Sequence, residues 1–99
     1  MRNWLIEDNL VALYIALHGY KGLQYDFEKI KEIIPHSGFS MRIDNYKSIH
    51  TKGEEGLNAG LKSPTYNELY NILESFERGK FACLVNLILK VKSEISESI

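Results

Sequence analysis

The chain has little of what marks a secreted or membrane-spanning protein. Its 99 residues include a single cysteine, Cys83, so no disulfide can form within the chain, which favours a reducing compartment such as the cytoplasm. The first residues, MRNWLIEDN, contain two acids and no long apolar stretch, unlike a signal peptide. The longest apolar run, FACLVNLIL, is too short to cross a bilayer and contains Asn86. These absences predict a soluble, cytoplasmic protein.

An excess of charge of either sign is also missing. The chain has 12 Lys and Arg against 13 Asp and Glu, which gives a formal net charge of −1. This balance argues against a protein coated in positive charge, such as one that packs chromatin, but it is compatible with a local basic face. The length fits one domain, residues 1–99, with one modest core.

Side chains that could support catalysis are scattered along the sequence. None of the histidines, His18, His36 and His50, has a carboxylate or a cysteine at the spacing of metal ligands. The stretch GEEGLNAG lacks the Lys-Ser ending of a phosphate-binding loop and carries two acids. Cys83 has no nearby base and lies in an apolar run, which favours an inert core residue. The sequence therefore predicts a protein that is not an enzyme and holds no cofactor or metal.

Apolar residues recur at helical spacing in five stretches, and no stretch alternates as a strand does. Gly19 is expected to end the first helix, and Asp26 to cap the second, which Pro35 ends. Ser63 followed by Pro64 marks the start of the fourth. The expected fold is all-α, a compact bundle of about five helices. The predicted helices span about residues 6–18, 26–34, 40–49, 64–78 and 80–97.

Residues 25–49 predict a central helix-turn-helix. A short helix reaches Ile34, the turn Pro35-His36-Ser37-Gly38 follows, and a second short helix begins near Phe39 or Ser40. A motif of this size places its second helix where it can lie in the major groove of DNA. Ser37 and Ser40, at the start of that helix, can hold a phosphate through hydroxyl and backbone N–H groups.

Polar residues in and around the third predicted helix form the predicted DNA-binding site. Arg42 is expected to contact a base edge or a phosphate, and Asn45 to read adenine, with both side chains facing outward. Lys47 and Lys52 are expected to neutralise phosphates. Asp44 either orients Arg42 through a salt bridge or indicates a face that meets a protein, and a polar face without any ligand is also open. The predicted site residues are Ser37, Ser40, Arg42, Asn45, Lys47 and Lys52.

The fifth predicted helix is apolar around most of its circumference, because residues 84, 85, 87, 88 and 89 surround it. Such a helix must be buried on several sides. Either the first and fourth helices cover it, or a second copy of the chain does, since helix-turn-helix proteins commonly dimerise. A homodimer formed through residues 80–97 and a monomer with a central helix are both open. Gly79 is expected to separate this helix from the fourth.

The third helix and its connector resemble a known family. The run SMRIDNYKSI, residues 40–49, is followed by Gly56-Leu57 and Ser63, as in the small helical domain that precedes HNH nuclease domains in bacterial and phage restriction-type endonucleases. In that domain a helix begins with serine, carries a Met-Arg or Met-Lys pair and continues to asparagine and an aromatic residue. Trp4, an apolar helix and Gly19 agree with it upstream.

The similarity covers about residues 4–76 and implies a role in DNA recognition or tethering. Two departures matter. The family commonly has an aspartate just after the helix, where this chain has His50. No HNH nuclease follows, so the resemblance implies the binding module without nuclease activity.

These observations predict a non-catalytic DNA-binding protein of bacterial, phage or mobile-element origin that acts as a regulator or recognition module on double-stranded DNA. The alternative is a small phage-type protein that binds and inhibits a host protein, such as a defence nuclease. The surface distinguishes them. A contiguous basic face around the third helix favours DNA, whereas an apolar or acidic patch favours a protein partner.

Overall fold

The architecture is all-α, as predicted. The computed structural model describes residues 4–54 and 64–98, apart from the side chains of Thr65 and of residues 96–98; these residues form five helices and no strand. The Cα radius of gyration is 13.1 Å, as for a compact domain of this length. The Gly56-Leu57 pair and Ser63 of the family resemblance lie outside the described residues. The helices are α1 (Ile6–His18), α2 (Phe27–Ile33), α3 (Phe39–His50), α4 (Pro64–Leu73) and α5 (Arg78–Ser98).

Helix α1 lies at the centre of the bundle and packs chiefly against α3 and also against α5. Residues 11–15 are all buried, so this helix has no polar side over its middle turns. The ring of Tyr14 meets Phe81 of α5 edge to face, with 5.1 Å between centroids. Gly19 ends α1 as predicted, because its φ of 66° is a left-handed conformation that glycine adopts without strain, and its N–H bonds to Ile15 O.

The start and end of α2 also follow from local chemistry. Asp26 caps the helix, since its Oδ1 accepts a hydrogen bond of 2.9 Å from the backbone N–H of Lys29. The helix ends at Ile33, two residues before Pro35. Helix α2 packs against α5 and meets α3 through Phe27 and Phe39, whose stacked rings lie 6.5 Å apart.

The predicted boundary between the last two helices is wrong. Helix α4 ends at Leu73, not near residue 78, and α5 begins at Arg78, so Gly79 lies in its first turn. The Glu77 side chain explains the difference. Its Oε1 accepts a bond of 2.9 Å from Gly79 N, and its Oε2 one of 2.7 Å from Lys80 N. These bonds satisfy two of the N–H groups that a helix leaves free at its start.

We expect Glu77→Gln to remove a pH-dependent part of the stability. The hydrogen bonds from Gly79 N–H and Lys80 N–H lower the pKa of the Glu77 carboxyl below its usual value. Such a group stabilises the fold above its unfolded pKa, about 4.3, and this contribution is lost as the pH falls through the folded pKa. Urea unfolding followed by circular dichroism should show wild type and variant differing at neutral pH and converging in acid. A difference that is constant with pH would contradict this, and Glu68→Gln, on exposed α4 surface, is the matched control.

The loop between α1 and α2 is fixed to α5 by Asn86. The Asn86 side chain accepts a 2.9 Å bond from Gln24 N and donates a 3.0 Å bond to Gly22 O. Gly22 has a φ of 81°, and a Cβ there would lie 2.9 Å from Arg78 Nη1. The Arg78 side chain could move aside, but the positive φ strains any other residue, and the Cβ would also lie 3.2 Å from Ala82 Cβ on α5, so glycine is favoured here. Asn86, the polar residue within the apolar run FACLVNLIL, thus joins the α1–α2 loop to α5.

Within this one chain, helix α5 is buried on one side only, so the alternative in which the first and fourth helices cover it is wrong, and coverage by a second copy stays a prediction. It packs against α1 and α2 rather than chiefly against α4. Its buried residues are Phe81, Ala82, Val85 and Leu89. Cys83 falls on the opposite side and is exposed, which corrects the prediction of a core cysteine. Leu84 and Ile88 are partly buried, whereas Leu87, Val91 and Ile95 are exposed. Within the described parts of the chain, we find no helix that is both long and apolar enough to span a membrane.

Candidate functional site on the third helix

The core residues of α3 decide which of its side chains can meet a partner. Phe39, Ile43, Tyr46 and Ile49 are buried and fix the rotation of the helix about its axis. One side of α3 faces α1, and another contacts α4. The polar residues therefore divide between two flanks of the helix instead of forming one outward face.

The first flank carries Ser40, Asp44 and Lys47, which recur at helical spacing. They line a shallow pocket of about 220 Å³ together with Tyr20 and Phe27. Ser40 is exposed, while Asp44 and Lys47 are partly buried. We term Ser40, Asp44 and Lys47 the outward stripe. It combines a hydroxyl, a carboxylate and an ammonium group on one side of a helix.

The second flank carries Arg42, which is held by aromatic rings. Its guanidinium carbon lies 4.0 Å from the ring centroid of Trp4 and 4.8 Å from that of Tyr66. Its Nη1 donates a hydrogen bond of 2.9 Å to Asn9 Oδ1. A guanidinium between two rings gains cation–π attraction on both faces. Arg42 thus joins the N-terminal segment, α1 and α4, and the prediction that it projects freely into solvent is wrong.

Asn9 and Tyr46 complete the surroundings of Arg42. The Tyr46 hydroxyl donates a 3.1 Å bond to the same Asn9 Oδ1, and Asn9 Nδ2 donates to Leu5 O at 3.1 Å. Burial raises the pKa of Tyr46 well above its usual value, and nearby Tyr66 raises it further while Arg42 lowers it. The hydroxyl therefore keeps its proton and remains a donor at any ordinary pH.

Asn45 does not stand beside Arg42 as a second outward group. Its side chain is partly buried, and its Oδ1 is enclosed without a hydrogen-bond partner among the residues the structure describes. Two-pronged reading of adenine requires both the oxygen and the nitrogen of the amide. The enclosed oxygen does not face outward in this conformation, contrary to the prediction.

Ser37 and Lys52 flank α3 at its two ends, and both are exposed. Ser37 lies in the turn that precedes the helix. Lys52 follows the helix in a left-handed conformation, with a φ of 55°. A helix of 12 residues is about 18 Å long, so these two side chains are well separated. Of the six predicted residues, the structure brings Ser40 and Lys47 together on one flank and Arg42 and Asn45 on another.

Sequence reasoning missed a buried ionic cluster beside this helix. Asp8 Oδ2 accepts a 3.2 Å bond from His36 Nε2, and Asp8 Oδ1 lies 3.0 Å from Lys92 Nζ. Oδ1 has no hydrogen-bond partner among the described residues, but the ammonium charge at this distance still neutralises that oxygen. Asp8 Oδ2 also accepts a long bond of 3.4 Å from Leu5 N, at the start of α1. The cluster joins α1, the turn before α3, and α5.

Trp4 connects the ionic cluster to Arg42. The His36 ring stacks on Trp4 with 4.2 Å between centroids and 15° between planes. Because the Arg42 guanidinium lies 4.0 Å from the same centroid, the two groups must cover opposite faces of the indole. The order of the stack is therefore His36, Trp4, Arg42 and Tyr66. The members are far apart in sequence, so no local pattern could have revealed the stack.

Helix α4 is fixed against α3 by two tyrosines. The rings of Tyr66 and Tyr46 lie 5.2 Å apart, and the Tyr70 hydroxyl lies 3.0 Å from His50 Nδ1. Burial raises the pKa of Tyr70 to about 12, with a further contribution from Glu74. Tyr70 is therefore protonated at neutral pH and donates to the Glu74 carboxylate, so its oxygen is left to accept a bond from His50 Nδ1. This bond holds the last residue of α3.

The comparisons do not assign the chain to a family. No family model, no curated protein and no solved structure matches it. Over residues 4–54 and 64–98, no group of three or more His, Cys, Asp or Glu side chains is placed to hold a metal ion. Function must therefore be argued from the surfaces themselves.

Proposed function

We propose that this protein is a non-enzymatic DNA-binding module that meets a duplex with the outward stripe of α3. The observation that carries the proposal is that Ser40 and Lys47 lie on the same flank of α3, where Ser40 is exposed and Lys47 partly so, with Ser37 and Lys52 exposed at the ends of the helix. Residues 34–38 connect α2 to α3, as the short turn of a helix-turn-helix would. The resemblance to the domain that precedes HNH nucleases supports the same role.

Each of these residues has a distinct part in the proposal. Ser37 and Ser40 lie at the N-terminal end of α3, where hydroxyl groups and the positive end of the helix dipole favour a phosphate. Lys47 and Lys52 neutralise further phosphates. Asp44 can accept a hydrogen bond from cytosine N4, but it repels phosphates, so it favours a base edge over the backbone.

In this proposal Arg42 serves DNA binding indirectly. Its guanidinium is held between Trp4 and Tyr66, so it supports α3 and leaves the contacts to the outward stripe. Asn45 likewise has no part in recognising adenine in this proposal, because its Oδ1 is enclosed. Few cationic groups remain, and we therefore expect modest affinity dominated by phosphate contacts.

The test is the salt dependence of duplex binding, measured by fluorescence anisotropy of a labelled duplex. Two lysine contacts predict that log K falls with log[salt] with a slope of about −2, because each neutralised phosphate contributes about −0.9. Lys47→Ala should reduce the magnitude of the slope by about 1. Lys80→Ala, which removes an exposed charge from α5, is the matched control and should leave the slope unchanged.

Two results would refute the proposal. Absence of salt-dependent binding to any duplex would remove DNA as the ligand. If Lys47→Ala and Lys80→Ala lose binding equally, the duplex is attracted by positive charge anywhere on the protein, and α3 has no special role.

A further inference from the structure

The shallow pocket beside the outward stripe is lined by polar side chains that have no partner within the described parts of the chain. These residues are Tyr20, Ser40, Asp44 and Lys47. None of the four side chains forms a hydrogen bond or an ion pair with another described residue. Asp44 is partly buried, yet solvent reaches both of its carboxylate oxygens, since neither is among the enclosed atoms that lack a partner. A partly buried carboxylate usually receives donors from its own protein, so an Asp44 without them is available to a ligand.

The size and the walls of this pocket fit one flat ring system. Its volume is about 220 Å³, below the range of about 300–1,000 Å³ that is typical of pockets for larger ligands. Tyr20 and Phe27 stand on one side and meet edge to face, with 6.1 Å between ring centroids. Tyr20 is 42% exposed, and an exposed aromatic ring can stack on a nucleobase. Ile15 and Ile43 supply apolar lining.

We propose that the pocket receives an unpaired guanine base of DNA, with the Asp44 carboxylate accepting hydrogen bonds from guanine N1–H and N2–H. Among the four DNA bases, only guanine presents two neighbouring donors on its Watson–Crick edge, and a carboxylate presents two acceptors. Adenine, cytosine and thymine each place an acceptor beside the donor, which the carboxylate repels. The base must be unpaired, because in a duplex these two donors are bonded to cytosine.

This inference rests on the proposed function, since DNA must first be held against α3. Lys47 keeps its phosphate contact, and the inference concerns Asp44 and the rings beside it. In an intact duplex Asp44 reaches only a base edge in the groove, whereas an unpaired base can enter the pocket and engage both carboxylate oxygens. Extruding a paired base costs a few kcal/mol, so a base that is already unpaired is the favoured ligand.

Fluorescence anisotropy with bulged duplexes tests the choice of base. Four labelled duplexes carry a single unpaired guanine, adenine, cytosine or thymine, and the fully paired duplex is the reference. The guanine bulge should bind at least about fivefold more tightly than the other three bulges, as expected when a two-pronged hydrogen-bonded pair discriminates between bases.

Asp44→Asn separates base recognition from a simple effect of charge. The amide replaces one acceptor by a donor, so it matches the neighbouring donor and acceptor of adenine or cytosine. The variant should lose the preference for the guanine bulge and bind the adenine or cytosine bulge more tightly. Removal of a negative charge without base recognition would strengthen binding of all four bulges equally. Glu68→Gln, on exposed α4 surface, is the matched control and should keep the preference for guanine.

The possible results separate this inference from the proposed function. Equal affinity for all four bulges, with duplex binding and its salt slope intact, would overturn the guanine pocket and leave the proposed function standing. Absence of binding to any DNA would remove both. Tighter binding of guanosine monophosphate than of the duplex with a guanine bulge would overturn DNA as the source of the base.

Discussion

Replacing Asp8 by alanine is expected to lower the free energy of unfolding by about 3 kcal/mol, since removing one partner of a buried ion pair costs about 3–5 kcal/mol. Asp8 is almost fully buried and is the only acidic group in contact with His36 and Lys92 among the described ion pairs. The Lys92 side chain is 22% exposed, so water can solvate it in part, and we expect the lower end of that range. The backbone N–H of Leu5 also loses its acceptor.

Urea unfolding followed by circular dichroism at neutral pH measures this change. Asp8→Asn keeps the shape and part of the hydrogen bonding, so it should cost less than Asp8→Ala. Glu32→Ala is the control, because Glu32 lies on the surface with an exposed lysine 3.6 Å away, and such pairs contribute about 0–1 kcal/mol. If Asp8→Ala and Glu32→Ala have the same small effect, the cluster does not hold the helices together.

Replacing Arg42 by alanine should lower the free energy of unfolding by about 2–3 kcal/mol, from the loss of stacking on two rings and of a charged hydrogen bond. Arg42→Lys should retain only part of this stabilisation, because an ammonium group cannot stack as a planar guanidinium does. Trp4 is the only tryptophan and one of its faces is covered by Arg42, so its fluorescence should shift to longer wavelength in Arg42→Ala.

Lys47→Ala is the matched control for Arg42→Ala, since both lie on α3 and both are partly buried. We expect opposite patterns in two assays. Arg42→Ala should reduce stability and leave the salt slope of DNA binding nearly unchanged, whereas Lys47→Ala should change the slope and keep the stability within about 0.5 kcal/mol. If the folded Arg42→Ala protein instead shows a salt slope smaller in magnitude by about 1, Arg42 contacts a phosphate directly.

Local chemistry explains which helix boundaries could be predicted. Gly19 ends α1, and Asp26 caps α2, because these residues act on backbone groups within four positions of themselves. The boundary between α4 and α5 was misplaced because glycine commonly ends a helix. Here the Glu77 side chain, an uncommon N-terminal cap, starts α5 ahead of Gly79. A helix-ending glycine and a capping side chain both act within a few residues. The sequence does not say which of them prevails, because that depends on the backbone N–H groups that the Glu77 side chain reaches.

The candidate site was predicted less well than the helices. The predicted helix α3 exists, and Ser40 and Lys47 lie on the same flank of it, but their role in binding stays a prediction. Arg42 was expected to face solvent because polar residues on a short helix usually do. Trp4 and Tyr66, which enclose it, are 38 and 24 positions away in the chain, so their approach depends on how α1 and α4 pack.

The sequence by itself determined the all-α class, the existence of five helices and most of their ends, because hydrophobic periodicity and caps act over one or two turns. The tertiary structure alone decided which polar side chains are free. It enclosed Arg42 between rings, buried Asp8 against His36 and Lys92, and left Leu87 and Val91 of α5 exposed. These outcomes depend on contacts between residues distant in the chain, where the packing of helices, and not the polarity of a side chain, sets its surroundings.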